Sequence, residues 1–200
     1  IHARKLELQP GGTFNSEIRP IIDDDEAIKA GVAPLEEEAL KITRKTRDKL
    51  AKAPLPKTVW NKFAQFCEKY NFKKTSYYAP IAAGYNINGY DMPIVERMCQ
   101  QYGPVDSKRG TQGIFNPIYT IDVMQHIYCW FENNQDVKKY NMDYMREYFG
   151  MSQASKDNAH DALQDVKDTA NIMIKFMKLQ RTLLHKVKFE KTFANGDIYV

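Results

Sequence analysis

The most regular pattern of apolar positions lies in the C-terminal third of the chain. Apolar side chains recur there every three or four residues, which places them on one face of an α-helix. The pattern therefore predicts a long amphipathic helix that closes the core. A second helical pattern, between Pro56 and Lys73, predicts a shorter helix of the same kind. The apolar positions of the long helix are Ala162, Leu163, Val166, Ala170, Met173, Phe176 and Met177, and those of the shorter helix are Trp60, Phe63, Ala64, Phe66 and Cys67.

The middle of the chain changes from a strand pattern to a helical one. Residues 77–85 form a compact apolar run of strand character, and the helical pattern of residues 93–99 follows after a short polar stretch. A strand, a loop and a helix are therefore predicted to meet at Asp91. Two further helices are predicted: a buried one at residues 118–131, which include Asp122, and a short one at residues 142–149.

The N-terminal part of the chain predicts a hairpin followed by a charged segment. Residues 1–8 alternate basic with apolar side chains, a Pro-Gly-Gly turn signal follows, and residues 13–18 can return as a second strand. Residues 23–52 are polar and charged, which is typical of a solvated surface. The alternative is that the basic half of this segment faces a phosphate backbone, because lysine and arginine supply most sequence-independent affinity for nucleic acid.

Composition narrows the class of protein without naming a function. The 200 residues are 43% hydrophobic and 27% charged, as in ordinary globular proteins, so we expect one domain. No apolar run approaches the roughly 20 residues of a membrane-spanning helix, and the first residues lack the pattern of a secretion signal. A net charge of +4 is compatible with a polyanionic partner but does not require one. Cys67, Cys99 and Cys129 are widely spaced, which predicts reduced core thiols in a cytoplasmic protein.

The first candidate site is the polar stretch at residues 84–93, with the sequence GYNINGYDMP. Asp91 can ligate a hard cation such as Mg2+, which prefers carboxylate oxygen. The other candidates are Tyr85 and Tyr90, which could stack on a terminal base, and Asn86 and Asn88, which could bond to sugar or phosphate. The alternative is structural: Asp91 caps the following helix and Tyr90 belongs to the core.

The second candidate site is the stretch at residues 158–166, with the sequence NAHDALQDV. On one ideal helix, His160 and Asp165 would point roughly 140 degrees apart and could not face the same site. His160 is therefore expected on the loop before the helix, where its imidazole could reach a water near Asp165. The alternative is that Asp161 and Asp165 form a favourable acidic first turn and that His160 is a surface or capping residue.

The two segments together resemble the second and third motifs of the DnaQ-like (DEDDh) 3'-5' exonucleases of the ribonuclease H-like superfamily. The matching patterns are Asn-x3-Tyr-Asp at residues 86–91 and His-x4-Asp at residues 160–165, and the resemblance extends over most of the chain. It implies that Asp91 and Asp165 are metal ligands and that His160 is the general base. The implied cofactors are two Mg2+ or Mn2+ ions. Asp122 is a candidate supporting residue.

The resemblance lacks the first motif of the family, an Asp-x-Glu pair on the first strand. Glu7 cannot belong to such a pair, because Lys5 stands two positions before it. We therefore expect the first strand, with its two carboxylates, to lie upstream of this sequence. The weaker alternative is that the acidic run at residues 23–26 supplies the carboxylates, although it lies in a polar connection and not on a central strand.

The predicted fold is α/β: a ribonuclease H-like mixed β-sheet flanked by α-helices and missing its first strand. Residues 1–185 would form the exonuclease domain and residues 186–200 a C-terminal tail. The predicted function is hydrolysis of phosphodiester bonds at the 3' ends of single-stranded DNA or RNA by a two-metal mechanism. A polymerase or another replication protein is a candidate partner, and no membrane is expected. The alternatives are a catalytically incomplete nucleic-acid-binding or scaffold module, and a purely structural helical protein whose motif matches arise by chance.

Overall fold

The computed structural model of the protein describes residues 1–2, 4–152 and 161–186. These ranges contain eight α-helices and two short parallel strands, which confirms the predicted α/β class. The helices are α1 (Asp24–Lys29), α2 (Glu37–Thr43), α3 (Arg47–Ala51), α4 (Pro56–Glu68), α5 (Asp91–Tyr102), α6 (Val123–Phe131), α7 (Met142–Tyr148) and α8 (Ala162–Leu184), and the strands are β1 (Ala82–Gly84) and β2 (Thr120–Asp122). A short 3-10 helix at Ser76–Tyr78 precedes β1.

The two strands bring distant parts of the chain to one edge of the sheet. β1 and β2 pair in parallel, with Ala82 opposite Thr120 and Gly84 opposite Asp122. Parallel strands cannot be joined by a tight turn, and here α5 lies in the long connection between them. Both strands therefore end at the same edge, and the residues that follow Gly84 and Asp122 begin side by side.

The main core lies where α6, α7 and α8 pack together. Its most buried side chains include Ile127 of α6, Met145 of α7, and Ile172 and Phe176 of α8. The α8 helix also contacts β1, so it closes the core against the sheet. The long helix predicted from the apolar spacing is confirmed, but its first turns do not close the core, because Ala162 and Val166 of the predicted stripe are exposed.

A second core joins α4 to α5 and contains two of the three cysteines. Cys67 and Cys99 are buried in it, and burial raises the pKa of the Cys67 thiol to about 12, as expected for an unreactive core thiol. The indole Nε1 of Trp60 in α4 donates to the carbonyl of Gly103 at 2.6 Å, which ties α4 to the end of α5. Cys129 is exposed on α6, so the prediction that it lies in the core is wrong.

The predicted N-terminal hairpin is wrong. The described residues of segment 1–8 form a single antiparallel bridge between His2 and Glu7 around a tight turn in which Leu6 has a positive φ of 52°. Residues 13–18 have no regular structure. Alternation alone does not make a strand, because the backbone also needs a neighbouring strand to pair with. Within the described part of the chain that neighbour is missing. The chain is held just after this region, by a hydrogen bond from Arg19 N to the Pro54 carbonyl at 2.9 Å.

The prediction of one buried helix at residues 118–131 is wrong in its first half. Thr120–Asp122 forms β2, and α6 begins only at Val123. Asp122 stands at the junction and caps α6, since its carboxylate accepts a hydrogen bond from Met124 N at 3.1 Å. A short apolar run has the same composition whether it forms a buried strand or a buried helix. Only the pairing with β1, which is distant in the sequence, decides that residues 120–122 form a strand.

The charged segment at residues 23–52 forms the three short helices α1 to α3. Arg47 holds them together by bonds to Asp24 and Glu37 and to the carbonyls of Ile22 and Leu35. Most residues of the segment 23–52 are exposed, which agrees with the predicted solvated surface. None of the described helices is both long enough and apolar enough to cross a lipid bilayer.

Candidate active site

The loop between β1 and α5 is held in place by the carboxylate of Asp122. Asp122 Oδ1 accepts a hydrogen bond from Asn86 N at 3.0 Å, and Oδ2 accepts one from Asn88 N at 3.5 Å. The same carboxylate caps α6 through Met124 N. Asp122 is only 7% exposed, so these bonds are shielded from water. The residue predicted as supporting thus connects the ends of both strands to the candidate site.

The shape of the loop follows from two residues with special backbone demands. Asn86 has a positive φ of 54°, a left-handed conformation that asparagine adopts more readily than most residues. A Cβ on Gly89 would lie 2.8 Å from Asn86 Oδ1, so a larger residue there would have to displace the Asn86 side chain. Tyr90 N then donates to the Asn86 carbonyl at 3.2 Å, and Met92 N donates to the Ile87 carbonyl at 2.9 Å. These bonds fold the loop directly into the first turn of α5.

Asp91 lies at the first position of α5, next to the edge where both strands end. Its residue is exposed, and among the described residues no lysine or arginine forms an ion pair with it. Although the residue as a whole is exposed, neighbouring atoms shield its carboxyl group from part of the water and raise the pKa of Asp91. A backbone hydrogen bond opposes this rise and the negative charge of Asp122 adds to it, so that the pKa is raised overall. The two carboxylates are therefore close enough to repel each other. Tyr90, and not Asp91, stands at the cap position of α5, so the structural alternative for Asp91 as the helix cap is wrong.

The raised pKa of Asp91 gives a testable pH dependence of stability. The folded state retains this proton to higher pH than the unfolded chain, so stability is lost as the pH rises through the folded-state pKa. We expect Asp91→Asn to raise the Tm at about pH 7 and to leave it nearly unchanged at about pH 3, where Asp91 is protonated. Thermal unfolding followed by circular dichroism at both pH values measures this. Asp48→Asn, in the first turn of α3, is the matched control and should give no such gain.

The other residues predicted to contact a nucleotide separate into exposed and packed ones. Tyr90 is 69% exposed, so the alternative that it belongs to the core is wrong. Tyr85 packs against the main core, and its hydroxyl donates to the Tyr140 carbonyl. The structure thus gives Tyr85 a packing role and not the exposed ring face that base stacking requires. Asn88 Oδ1 accepts a hydrogen bond from the Thr120 hydroxyl at 3.0 Å.

Asp165 lies in the first turn of α8, where its carboxylate is ion-paired with Arg146 of α7. Asp161 caps the helix and accepts hydrogen bonds from Leu163 N and Gln164 N, both at 3.1 Å. The acidic start of the helix is therefore present, as the structural alternative predicts for Asp161 and Asp165. His160, the predicted general base, lies outside the described residues.

Sequence reasoning did not identify Arg146 and Asp168, which complete a buried ion cluster around Asp165. Arg146 Nε donates to Asp168 Oδ2 at 2.8 Å, and its Nη1 donates to Asp143 Oδ1 at 2.8 Å. Burial acts to lower the pKa of the Arg146 guanidinium, but the hydrogen bonds and negative charges of Asp168 and Asp165 together outweigh it and raise the pKa. The sequence did contain a sign of this cluster. Asp165 and Asp168 are three residues apart and lie on the same side of α8 as the core residue Ile172, so two neighbouring carboxylates there needed a cationic partner.

The described residues fit a divalent cation only in part. Asp91 offers an exposed carboxylate beside a second negative charge, which suits a hard cation. Asp165 already has a cationic partner in Arg146, so its carboxylate suits a metal only after that pair opens. Across residues 1–2, 4–152 and 161–186, no three histidine, cysteine or acidic side chains are grouped to hold a metal. The acidic run at residues 23–26 lies at the start of α1, where Asp24 pairs with Arg47.

Comparison with known protein families identifies the chain. The model of the RNase_T family, described as Exonuclease, matches residues 27–173, which include both candidate segments. No curated protein and no solved structure shows a significant match. The match covers most of the chain and excludes the alternative of a helical protein with chance motifs. The chain belongs to the RNase_T exonuclease family, in the DnaQ-like branch of the ribonuclease H-like superfamily.

Proposed function

We propose that this protein removes nucleotides from the 3' end of single-stranded DNA or RNA. The observation that carries the proposal is the loop at residues 85–90, which Asp122 holds at the edge of the sheet and which ends in the exposed Tyr90, followed directly by the exposed Asp91. In a member of an exonuclease family, this combines a carboxylate for phosphate chemistry with a ring for a terminal base. The 3' polarity follows from the resemblance to the DnaQ-like exonucleases.

The residues that would hold divalent cations are Asp91 and Asp165. Bound Mg2+ or Mn2+ would activate the attacking water and neutralise the charge that develops on the scissile phosphate. Asp122 stays fixed by its three backbone hydrogen bonds, so its role is to position the loop and to set the negative potential at Asp91. We assign the remaining two carboxylates of a two-metal site to the Asp-x-Glu motif of the family.

His160 would accept the proton of the attacking water, because a neutral imidazole is a competent base near pH 7. Tyr90 would stack on the terminal base, since it is exposed and immediately precedes Asp91 in the chain. The amide side chains of Asn86 and Asn88 would bond to the sugar or phosphate of the same nucleotide. Stacking and backbone contacts suit any base, so we expect little sequence preference.

The direction of degradation tests the proposal. The full-length protein is incubated with single-stranded DNA and RNA labelled at the 5' end, with Mg2+ or Mn2+ present. We expect a ladder that shortens one nucleotide at a time and releases nucleoside monophosphates. The same oligonucleotides blocked by a 3' phosphorothioate linkage should resist degradation. Single large fragments, or mononucleotide release from the labelled 5' end, would contradict the 3' exonuclease proposal.

A second candidate function is a nucleic-acid-binding or scaffold module without catalysis. The ion pair between Arg146 and Asp165 favours it, because Arg146 balances the negative charge of Asp165, a predicted metal ligand, without any metal. The two candidates differ in a direct binding measurement. Isothermal titration of the full-length protein with Mn2+ should show specific binding if it is an enzyme, whereas oligonucleotide binding without Mn2+ binding would support the scaffold.

A further inference from the structure

Arg146 distributes the nitrogens of one guanidinium group among three carboxylates. Nε bonds to Asp168, Nη1 to Asp143 and Nη2 to Asp165. Arg146 is 2% exposed and Asp168 is 1% exposed, so this part of the cluster is shielded from water. The Asp165 side chain is 39% exposed, so it connects a buried ion pair to the protein surface.

Two arms of the cluster reach solvent, those to Asp143 and Asp165, and of these two carboxylates only Asp165 is a proposed metal ligand. The bond between Arg146 and Asp168 is fully buried, and a buried guanidinium needs a partner at all times. The bond to Asp165 faces solvent, where water and ions screen charge attraction. If the Asp165 carboxylate turns away, Arg146 keeps its bonds to Asp168 and Asp143 and is not left unpaired.

The backbone on both sides of this arm is fixed by packing. Arg146 follows Met145, a completely buried residue of the main core, and Asp165 is in α8, whose Thr169 hydroxyl donates to the Asp165 carbonyl at 2.8 Å. Exchange at Asp165 therefore needs only a change of its side-chain rotamer. Neither helix has to move.

We propose that Arg146 is a positioning residue for Asp165: it holds this carboxylate when no cation is bound and competes with divalent cations for it. The inference rests on the proposed function, because it takes Asp165 as a metal ligand. A divalent cation would therefore bind at Asp165 only above a threshold concentration, at which it displaces Arg146 Nη2. The guanidinium also keeps Asp165 near its working position before the cation arrives.

Mn2+ binding to four variants tests the competition. Isothermal titration is performed on wild type, Arg146→Gln, Asp165→Asn and the double variant. We expect Arg146→Gln to lower the Kd for Mn2+ about tenfold, which corresponds to about 1.4 kcal/mol. In the Asp165→Asn background, Arg146→Gln should change nothing. Arg109→Gln is the matched control, because it removes an exposed arginine that pairs with Asp106, and should leave the Kd unchanged.

The outcomes separate the inference from the function on which it rests. If Asp165→Asn weakens Mn2+ binding but Arg146→Gln does not tighten it, Arg146 is only structural and the inference fails alone. If Asp165→Asn leaves Mn2+ binding unchanged, Asp165 is not a ligand and the proposed site fails with it. Should Arg146→Gln not fold, nitrogen-15 resonances of the Arg146 guanidinium in the wild type decide the matter. They should shift on Mg2+ addition and not shift in Asp165→Asn, and a shift in neither protein overturns the inference.

Discussion

Replacing Arg146 with methionine is expected to lower the free energy of unfolding by about 3–5 kcal/mol. Methionine has a similar length and keeps most of the packing around Met145, but it removes the guanidinium that faces three carboxylates. Asp168 is almost completely buried, so its negative charge would lose a cationic partner in a place that water does not reach. Urea unfolding followed by circular dichroism measures the loss.

Two further variants show whether buried charge is the cause. Arg109→Met removes an exposed arginine that also bonds to an aspartate, and should cost less than about 1 kcal/mol. Adding Asp168→Asn to Arg146→Met should recover part of the stability, because the uncompensated charge is then gone. A loss below about 1 kcal/mol for Arg146→Met would mean that the ion cluster contributes little to the fold.

The parts of the fold that were predicted from the sequence depend on local patterns. The face of α8 was visible because most of its apolar residues are three or four positions from the next, and helix geometry alone turns that spacing into a stripe. The junction at Asp91 was visible for a similar reason, since a polar stretch rich in asparagine and glycine separates two apolar patterns. The sequence of residues 86–91 therefore indicated both the loop and the family motif.

The parts that were missed depend on pairing between distant residues. Thr120–Asp122 becomes a strand because Ala82–Gly84 lies beside it, and nothing within residues 118–131 records that partner. In residues 1–8 the opposite occurs. Their alternation of basic and apolar side chains predicts a strand, but no neighbouring strand pairs with them in the described structure. Arg146 was missed because its link to Asp165 and Asp168 exists only when α7 packs against α8.

Asp91→Asn and Asp165→Asn are each expected to reduce exonuclease activity at least about a thousandfold, which equals roughly 4 kcal/mol of transition-state stabilisation. An amide keeps the shape of the carboxylate but not the charge that a divalent cation needs. The initial rate at which 5'-labelled oligonucleotides are shortened at saturating Mg2+ measures the effect. Asp48→Asn, an equivalent charge change in the first turn of α3, should retain activity within about twofold.

The two substitutions should change stability in opposite directions, which separates loss of the site from loss of the fold. Asp91→Asn removes a carboxylate whose pKa is raised by burial and by Asp122, so the inactive protein should be more stable than wild type at about pH 7. Asp165→Asn removes one partner of Arg146 and should be slightly less stable. If activity were lost through unfolding, it would follow the Tm, and Asp91→Asn would be the more active variant. Equal inactivity at opposite shifts of the Tm would place both carboxylates in the chemistry of phosphodiester hydrolysis. Full activity in either variant would remove that residue from the proposed site.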